Sequence, residues 1–221
     1  LTFDSGNLTT SNTMNTTFGD FFITSTTGQG SININHALNA KNVDLAANGL
    51  DADININAAV TTATDGSVIL MADDTITFAA AGDITASGTG SVTITANADV
   101  SAGNGNDRIT MADGTVIDAG SGAISLSTAG ANGGVLTVGR LITTSSSSSA
   151  VTINSNSTIL DAGDTTSLDN VTAQNGGLVM TAGSSIGTSN LDTLEIDVVS
   201  LSATNSGNSM FIDLSSDVSI T

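Results

Sequence analysis

Along most of this chain apolar and polar residues alternate over stretches of four to six positions. Ser31-Ile32-Asn33-Ile34-Asn35, Asp53-Ile54-Asn55-Ile56-Asn57, Ser91-Val92-Thr93-Ile94-Thr95, Ala123-Ile124-Ser125-Leu126-Ser127 and Ala150-Val151-Thr152-Ile153-Asn154 all follow it. A period of two is that of strands with one buried face. Turn signals fall between them: Gly28-Gln29-Gly30, Asp65-Gly66, Gly88-Thr89-Gly90, Gly103-Asn104-Gly105-Asn106, Gly120-Ser121-Gly122 and Gly133-Gly134. Helical spacing is almost absent.

A shorter apolar-x-Ala or apolar-x-Thr segment follows the alternating strands: Ala37-Leu38-Asn39-Ala40, Ala59-Val60-Thr61-Thr62, Asp83-Ile84-Thr85-Ala86, Asp99-Val100-Ser101-Ala102, Val116-Ile117-Asp118-Ala119 and Ile159-Leu160-Asp161-Ala162. Ile32, Ile54 and Ile76, or Val151 and Val171, recur roughly 20 to 22 residues apart, while Val92, Ile109 and Ile124 are closer, an imperfect repeat within the range of solenoid coils. The pattern predicts an all-β fold, a right-handed parallel β-helix (β-solenoid) of about 20 residues per coil, the hand following from the crossover rule. At about 4.8 Å per coil, the chain would form a rod of about 11 coils and about 50 Å. An antiparallel sandwich is the competing architecture, but two-residue hairpin turns and large aromatic core residues are not evident.

Two places depart from the pattern. Residues 145–149 are a Ser run, expected to bulge between Leu141-Ile142-Thr143 and Ala150-Val151. Residues 1–24 hold Phe3, Phe18, Phe21 and Phe22, expected to fill a coil interior, with a capping or interface element as the alternative. Residues 1–221 read as a single β-solenoid segment, an excerpt of a longer repeat protein, because the strand-like Asp217-Val218-Ser219-Ile220-Thr221 ends without a cap. Residues 1–10 have neither the basic nor the apolar region of a signal peptide, and no apolar run approaches membrane-spanning length.

Composition sharpens this picture. The 221 residues are 39% hydrophobic yet only 3% aromatic, with no Pro, Cys, Trp or Tyr. A core with so few aromatic rings is built from small aliphatic side chains in a thin, regular layer, which suits stacked coils. Acidic residues number 21, all Asp except Glu195, against Lys41, Arg108 and Arg140, giving a formal net charge of −18. Such a surface repels phosphate, so nucleic-acid binding and attachment to anionic membranes are not expected. It does attract divalent cations.

The C-terminal third carries a resemblance. Gly176-Gly177-Leu178-Val179-Met180-Thr181-Ala182-Gly183-Ser184-Ser185-Ile186-Gly187-Thr188 is followed by Leu191-Asp192-Thr193-Leu194-Glu195-Ile196-Asp197-Val198, by Leu201-Ser202-Ala203-Thr204 and by Ser209-Met210-Phe211-Ile212-Asp213-Leu214. This resembles the repeat of filamentous haemagglutinin-like giant bacterial exoproteins, in which an AGxSIGT turn precedes an L-x-I-x-V-x-x-L-x-A strand pair. The likeness is close over 176–221, and looser at GSVTITANADVSAG, 90–103. The resemblance implies a right-handed parallel β-helix, secreted or held at the bacterial cell surface, with a role in adhesion, surface layers, biofilm or toxin delivery. The family's N-terminal secretion domain is not visible in these residues.

Candidate chemistry is sparse. His36, the single histidine, follows an alternating strand in Asn35-His36-Ala37 and reads as a surface turn residue; with no Cys, neither a Cys/His nucleophile nor a His/Cys zinc site can be assembled. Asp73-Asp74, the adjacent carboxylates, would suit a glycan hydrolase or lyase on a β-helix. The Gly-His-Gly and Arg-x-Lys elements of pectinase-like enzymes are missing, so the pair reads as a solvated turn. Gly103-Asn104-Gly105-Asn106-Asp107 faintly matches a calcium-binding β-roll turn, in a single copy. The Asn-x-Asn and Thr-x-Thr stretches predict hydrogen-bonded side-chain ladders, with a flat ice-binding Thr face as the weaker alternative.

These readings assign no catalytic, cofactor-binding or metal residue and no cofactor, leaving calcium as the one candidate ion. The expected function is a structural or adhesive rod, not an enzyme. Its expected partners are further coils of the same chain, head-to-tail copies of itself or a host or cell-surface ligand. The alternative is a glycan-active β-helix enzyme or glycan-binding module.

Overall fold

The computed structural model describes residues 2–3, 7–16, 19–25, 30–98, 107–128, 134–163, 168–189, 193–207 and 209–221. Among them every regular element is a strand, and every pairing between strands is parallel. The chain winds as a β-solenoid of about 7 turns, with successive turns about 24 residues apart. Each turn crosses three faces.

One turn shows the plan. Val43–Ala47 runs along the first face, Ile54–Ile56 along the second and Val60–Thr62 along the third, after which Val68–Ala72 returns to the first face directly beside Val43–Ala47. The second face is a separate 7-stranded sheet, from Leu8–Thr9 to Ile159–Asp161. Single bridges at Ile186 and Met210 extend it. The first and third faces join into one sheet because Val171–Ala182 and Leu194–Asn205 run unbroken across the corner between them. Leu194–Asn205 lies in the segment, 176–221, that carries the resemblance, and the strand pair expected there is this one continuous strand.

The expected parallel solenoid is therefore observed, but the coil count is corrected from 11 to about 7. Three strands per coil are the reason. Ile32, Ile54 and Ile76 do stack on one another on the second face. Val151 and Val171 do not, since Val151 lies on the first face beside Leu178 and Val171 on the third beside Leu141. Likewise Ile109 stacks on Ile76, whereas Val92 pairs with Ile124. Distances measured between different faces made the repeat look shorter.

Period-two alternation sends every second side chain inward, and the interior is a set of columns. On the first face Ile23, Leu45, Leu70, Ile94, Leu126, Ile153 and Met180 lie over one another, all at 2% exposure or less. The second face stacks Ile32, Ile54, Ile76, Ile109, Leu136 and Ile159, and the third Leu38, Val60, Ile84, Ile117 and Leu141. Where the faces converge, the column becomes small: Ala40, Thr62 and Ala86 at the end of the third face, Ala47, Ala72 and Ala96 at the end of the first. The corner column takes only the small Ala or Thr, which is the physical origin of the apolar-x-Ala and apolar-x-Thr phrases.

The same alternation corrects the reading of the Phe-rich start. Phe21 is buried and Phe22, its neighbour in the strand Phe21–Ser25, is 50% exposed on the outer side. The side chain of Phe3 and all of Phe18 lie outside the described residues, as do the segment 99–102 and parts of the Gly28, Gly103 and Gly133 turns. The Ser run does form a bulge: 146–149 are exposed, and the Ser147 carbonyl accepts from Ala150 N and Gly177 N.

Candidate functional site

Polar side chains gather in three places: an outer ladder, a corner between the first and second faces, and a small cavity near Arg140. On the outer side of the second face, Asn55 Nδ2 donates to Asn33 Oδ1 at 2.9 Å and Thr77 Oγ1 to Asn55 Oδ1 at 2.7 Å. Asn33 Nδ2 reaches back to Thr9 Oγ1 at 3.5 Å. Parallel ladders link Asn57 to Asn35 and Asn39 to Asn15. The predicted ladders are present. The column ends in Thr110, Thr137 and Leu160, and its flank mixes Thr75 with Arg108 and Val135, so it is not a uniform Thr array.

His36 lies on the turn from the second face to the third and is exposed, as expected. Its backbone N–H donates to Thr10 Oγ1 at 3.1 Å.

Asp73 and Asp74 overturn their reading as a solvated turn: they are 9% and 7% exposed, folded into the corner after Val68–Ala72. Asp73 Oδ2 accepts from Gly49 N at 2.6 Å, one turn back. Asp74 Oδ1 accepts from Thr75 Oγ1 at 3.1 Å, and its carbonyl accepts from Asn97 N at 3.2 Å, one turn on. Asp53, below, accepts at Oδ1 from Thr75 N. Burial raises the Asp53 carboxyl above its ordinary range, and the charges of Asp74 and Asp51 raise it further, against the lowering effect of the Thr75 N–H.

Two further residues complete this corner. Asn97 and Asp107 are each 1% exposed. Asn97 holds a left-handed backbone, φ 53°, a conformation that Asn adopts more readily than most residues. Asp107 and Asp74 occupy the same level on successive turns, two residues before the stacked pair Ile109 and Ile76. The corresponding residues on other turns are Gly30, Ala52, Gly134 and Ser157. Carboxylates in a column of small side chains were a signal available in the sequence, once the register was known. Of the candidate calcium turn, 103–106 lie outside the described residues.

At the corner between the second and third faces, Asp113, Arg140, Asp161, Leu168 and Asn170 line a cavity of about 40 Å³. Asn170 Nδ2 donates to Asp161 Oδ1 at 2.7 Å and to the Gly139 carbonyl at 3.1 Å, while its Oδ1 accepts from Glu195 N at 3.0 Å. One side chain so ties three turns together. Among the described residues no three His, Cys, Asp or Glu side chains converge in a metal-holding group.

The two ends of the stack differ from its middle. At the N-terminal end Leu8, Met14, Phe21 and Ile23 line an open cavity of about 340 Å³. At the C-terminal end Met210, Leu214 and Ile220 are 39%, 43% and 67% exposed. Comparison with known protein families, with curated proteins and with solved structures finds no match for this chain.

Proposed function

We propose that this chain is a structural rod whose stacked coils project or join other parts of a bacterial surface or secreted assembly, in the manner of the filamentous haemagglutinin-like exoproteins it resembles. The observation that carries this reading is the stack itself, parallel strands on three faces wound around continuous columns of buried aliphatic side chains. Leu8, Met14, Phe21 and Ile23 on one side and Met210, Leu214 and Ile220 on the other lie at opposite ends of these columns. Terminal coils of a solenoid also expose unpaired strand edges, which must be capped or extended. A second copy stacked head to tail would cover these side chains and pair these edges.

An adhesive role fits the same architecture, because a rigid acidic rod resists collapse and presents outer side chains at fixed spacing. The test is sedimentation velocity of residues 1–221 across a concentration series, beside a Leu214→Lys/Ile220→Lys variant. End-to-end association in the parent chain and its loss in the charged variant support the rod. A parent chain that stays monomeric and unfolds in one sharp transition at every concentration overturns it.

A further inference from the structure

We propose that the corner formed by Asp74, Asn97 and Asp107 is a binding site for one divalent cation of the calcium class. The site is independent of whether the rod assembles end to end.

The first observation is position. Asp74 and Asp107 stack on consecutive turns of a solenoid whose strands are about 4.8 Å apart. Both are buried, at 7% and 1% exposure, at a level where other turns place Gly30, Ala52, Gly134 or Ser157. Asp73 lies in the same corner at 9% exposure, and the charge of Asp74 is felt as far as Asp53, on the preceding turn. The corner thus gathers acidic side chains within a chain of net charge −18.

The second observation is Asn97. Its backbone N–H sits on the Asp74 carbonyl, and its side chain is sealed from solvent. Neither Asn97 Oδ1 nor Asn97 Nδ2 has a hydrogen-bond partner, although both atoms are buried. A buried amide normally satisfies its oxygen, since leaving it bare is costly. The bare oxygen belongs to the turn that carries Asp107, on a residue whose N–H bonds the Asp74 carbonyl of the turn before and whose backbone is left-handed. A hard cation would satisfy the amide oxygen: carboxylate oxygens from two turns and a neutral amide oxygen are the donor types calcium takes. Only two acidic side chains stack on this level, in keeping with the absence of any three-carboxylate group among the described residues. Magnesium, which demands regular octahedral geometry and keeps its waters, suits a dry corner of this kind less well.

The experiment is equilibrium dialysis of the chelator-treated 221-residue chain with radioactive calcium, alongside thermal unfolding followed by circular dichroism. The expected result is about one tightly held ion per chain, saturating by about 1 mM, with a melting temperature that falls when chelator is added. Asp74→Asn and Asp107→Asn should each weaken binding about tenfold or more, since calcium affinity follows ligand charge. Asp213→Asn/Asp217→Asn, which removes two exposed carboxylates, should leave that ion in place. The proposal is overturned if the folded parent chain binds no calcium, or if the exposed pair matters as much as the corner pair. A melting temperature indifferent to chelator in the parent chain overturns it as well, and this readout needs no variant to fold.

Discussion

The middle of the stack and its last turn carry the same alternation, yet they end in different states. Ile76 is fully buried, whereas Ile220, a residue of the same type at an equally alternating position, is 67% exposed. Leu70 and Leu214 make the same contrast, at 0% and 43%. In a solenoid the burial of a side chain is supplied by the turns on either side of it. Alternation fixes which way a residue points, while stacking decides whether it is covered.

This contrast gives the largest expected effect. Ile76 has Ile54 on one side and Ile109 on the other, so Ile76→Ala removes packing in a close-packed column and should cost about 2–5 kcal/mol. Ile220→Ala should change stability by about 0.5 kcal/mol or less. Chemical denaturation of both variants decides it. Equal losses would mean that the end is covered in solution, and would themselves point to end-to-end association.

The columns also explain what could be read from sequence. Ile32, Ile54 and Ile76 were legible because consecutive turns there are nearly equal, with ladder contacts 22 residues apart. Further along, the spacing stretches to 33 residues between Val116 and Asp83, and a fixed period fails. What stayed hidden was that the alternating strands lie on two faces, since Ile54-x-Ile56 of the second face and Val92-x-Ile94 of the first share one pattern. Asp73-Asp74 misled for a related reason. A short acidic stretch between strands normally faces water, and only the register shows that this one turns into the corner.

A second contrast lies among the glycines. Gly66, Gly90 and Gly122 stack at the corner between the third and first faces. A Cβ added to Gly90 would meet the Gly66 carbonyl oxygen at 1.9 Å, and one on Gly122 the Gly90 oxygen at 1.9 Å. These are backbone contacts with nowhere to move, so Gly90→Ala should cost about 1–3 kcal/mol or more by overpacking. Gly114 has open space around its missing Cβ and needs glycine only for its φ of 80°. Gly114→Ala should cost about 1 kcal/mol. Thermal unfolding of the two variants should rank them in that order. A Gly114→Ala loss as large as that of Gly90→Ala would show that backbone conformation, and not close stacking of turns, sets the need for glycine here.

The outer ladder should matter less than either. Asn55 donates to Asn33 and accepts from Thr77, while Thr204 meets only Thr181, at 3.4 Å on an exposed face. Asn55→Ala should cost about 1 kcal/mol, and Thr204→Ala within about 0.5 kcal/mol. Comparable values would mean that the ladder is incidental to the stiffness of the stack.

The smallest effect separates the acidic corner from the exposed acidic turns, and it has a definite sign. Asp53 titrates above its ordinary range in the folded chain, first because it is buried and then because Asp74 and Asp51 are near. Asp44 is raised by burial alone. A carboxyl raised on folding binds more protons in the folded state than in the unfolded one, so stability falls as pH rises through the window between the ordinary value of 3.8 and the raised one. Asp65 is lowered by the N–H and the hydroxyl of Thr89, and Asp197 by Gln174 and then Ser216. Their support is present above the ordinary value and is lost as pH falls through the lowered one. Mild acidification from neutrality should therefore raise the melting temperature slightly before stronger acid lowers it. In Asp53→Asn the initial rise should shrink, because the amide has no proton to take up, while the loss in stronger acid should remain. A rise of unchanged size would assign it to general relief of the −18 charge and not to this corner.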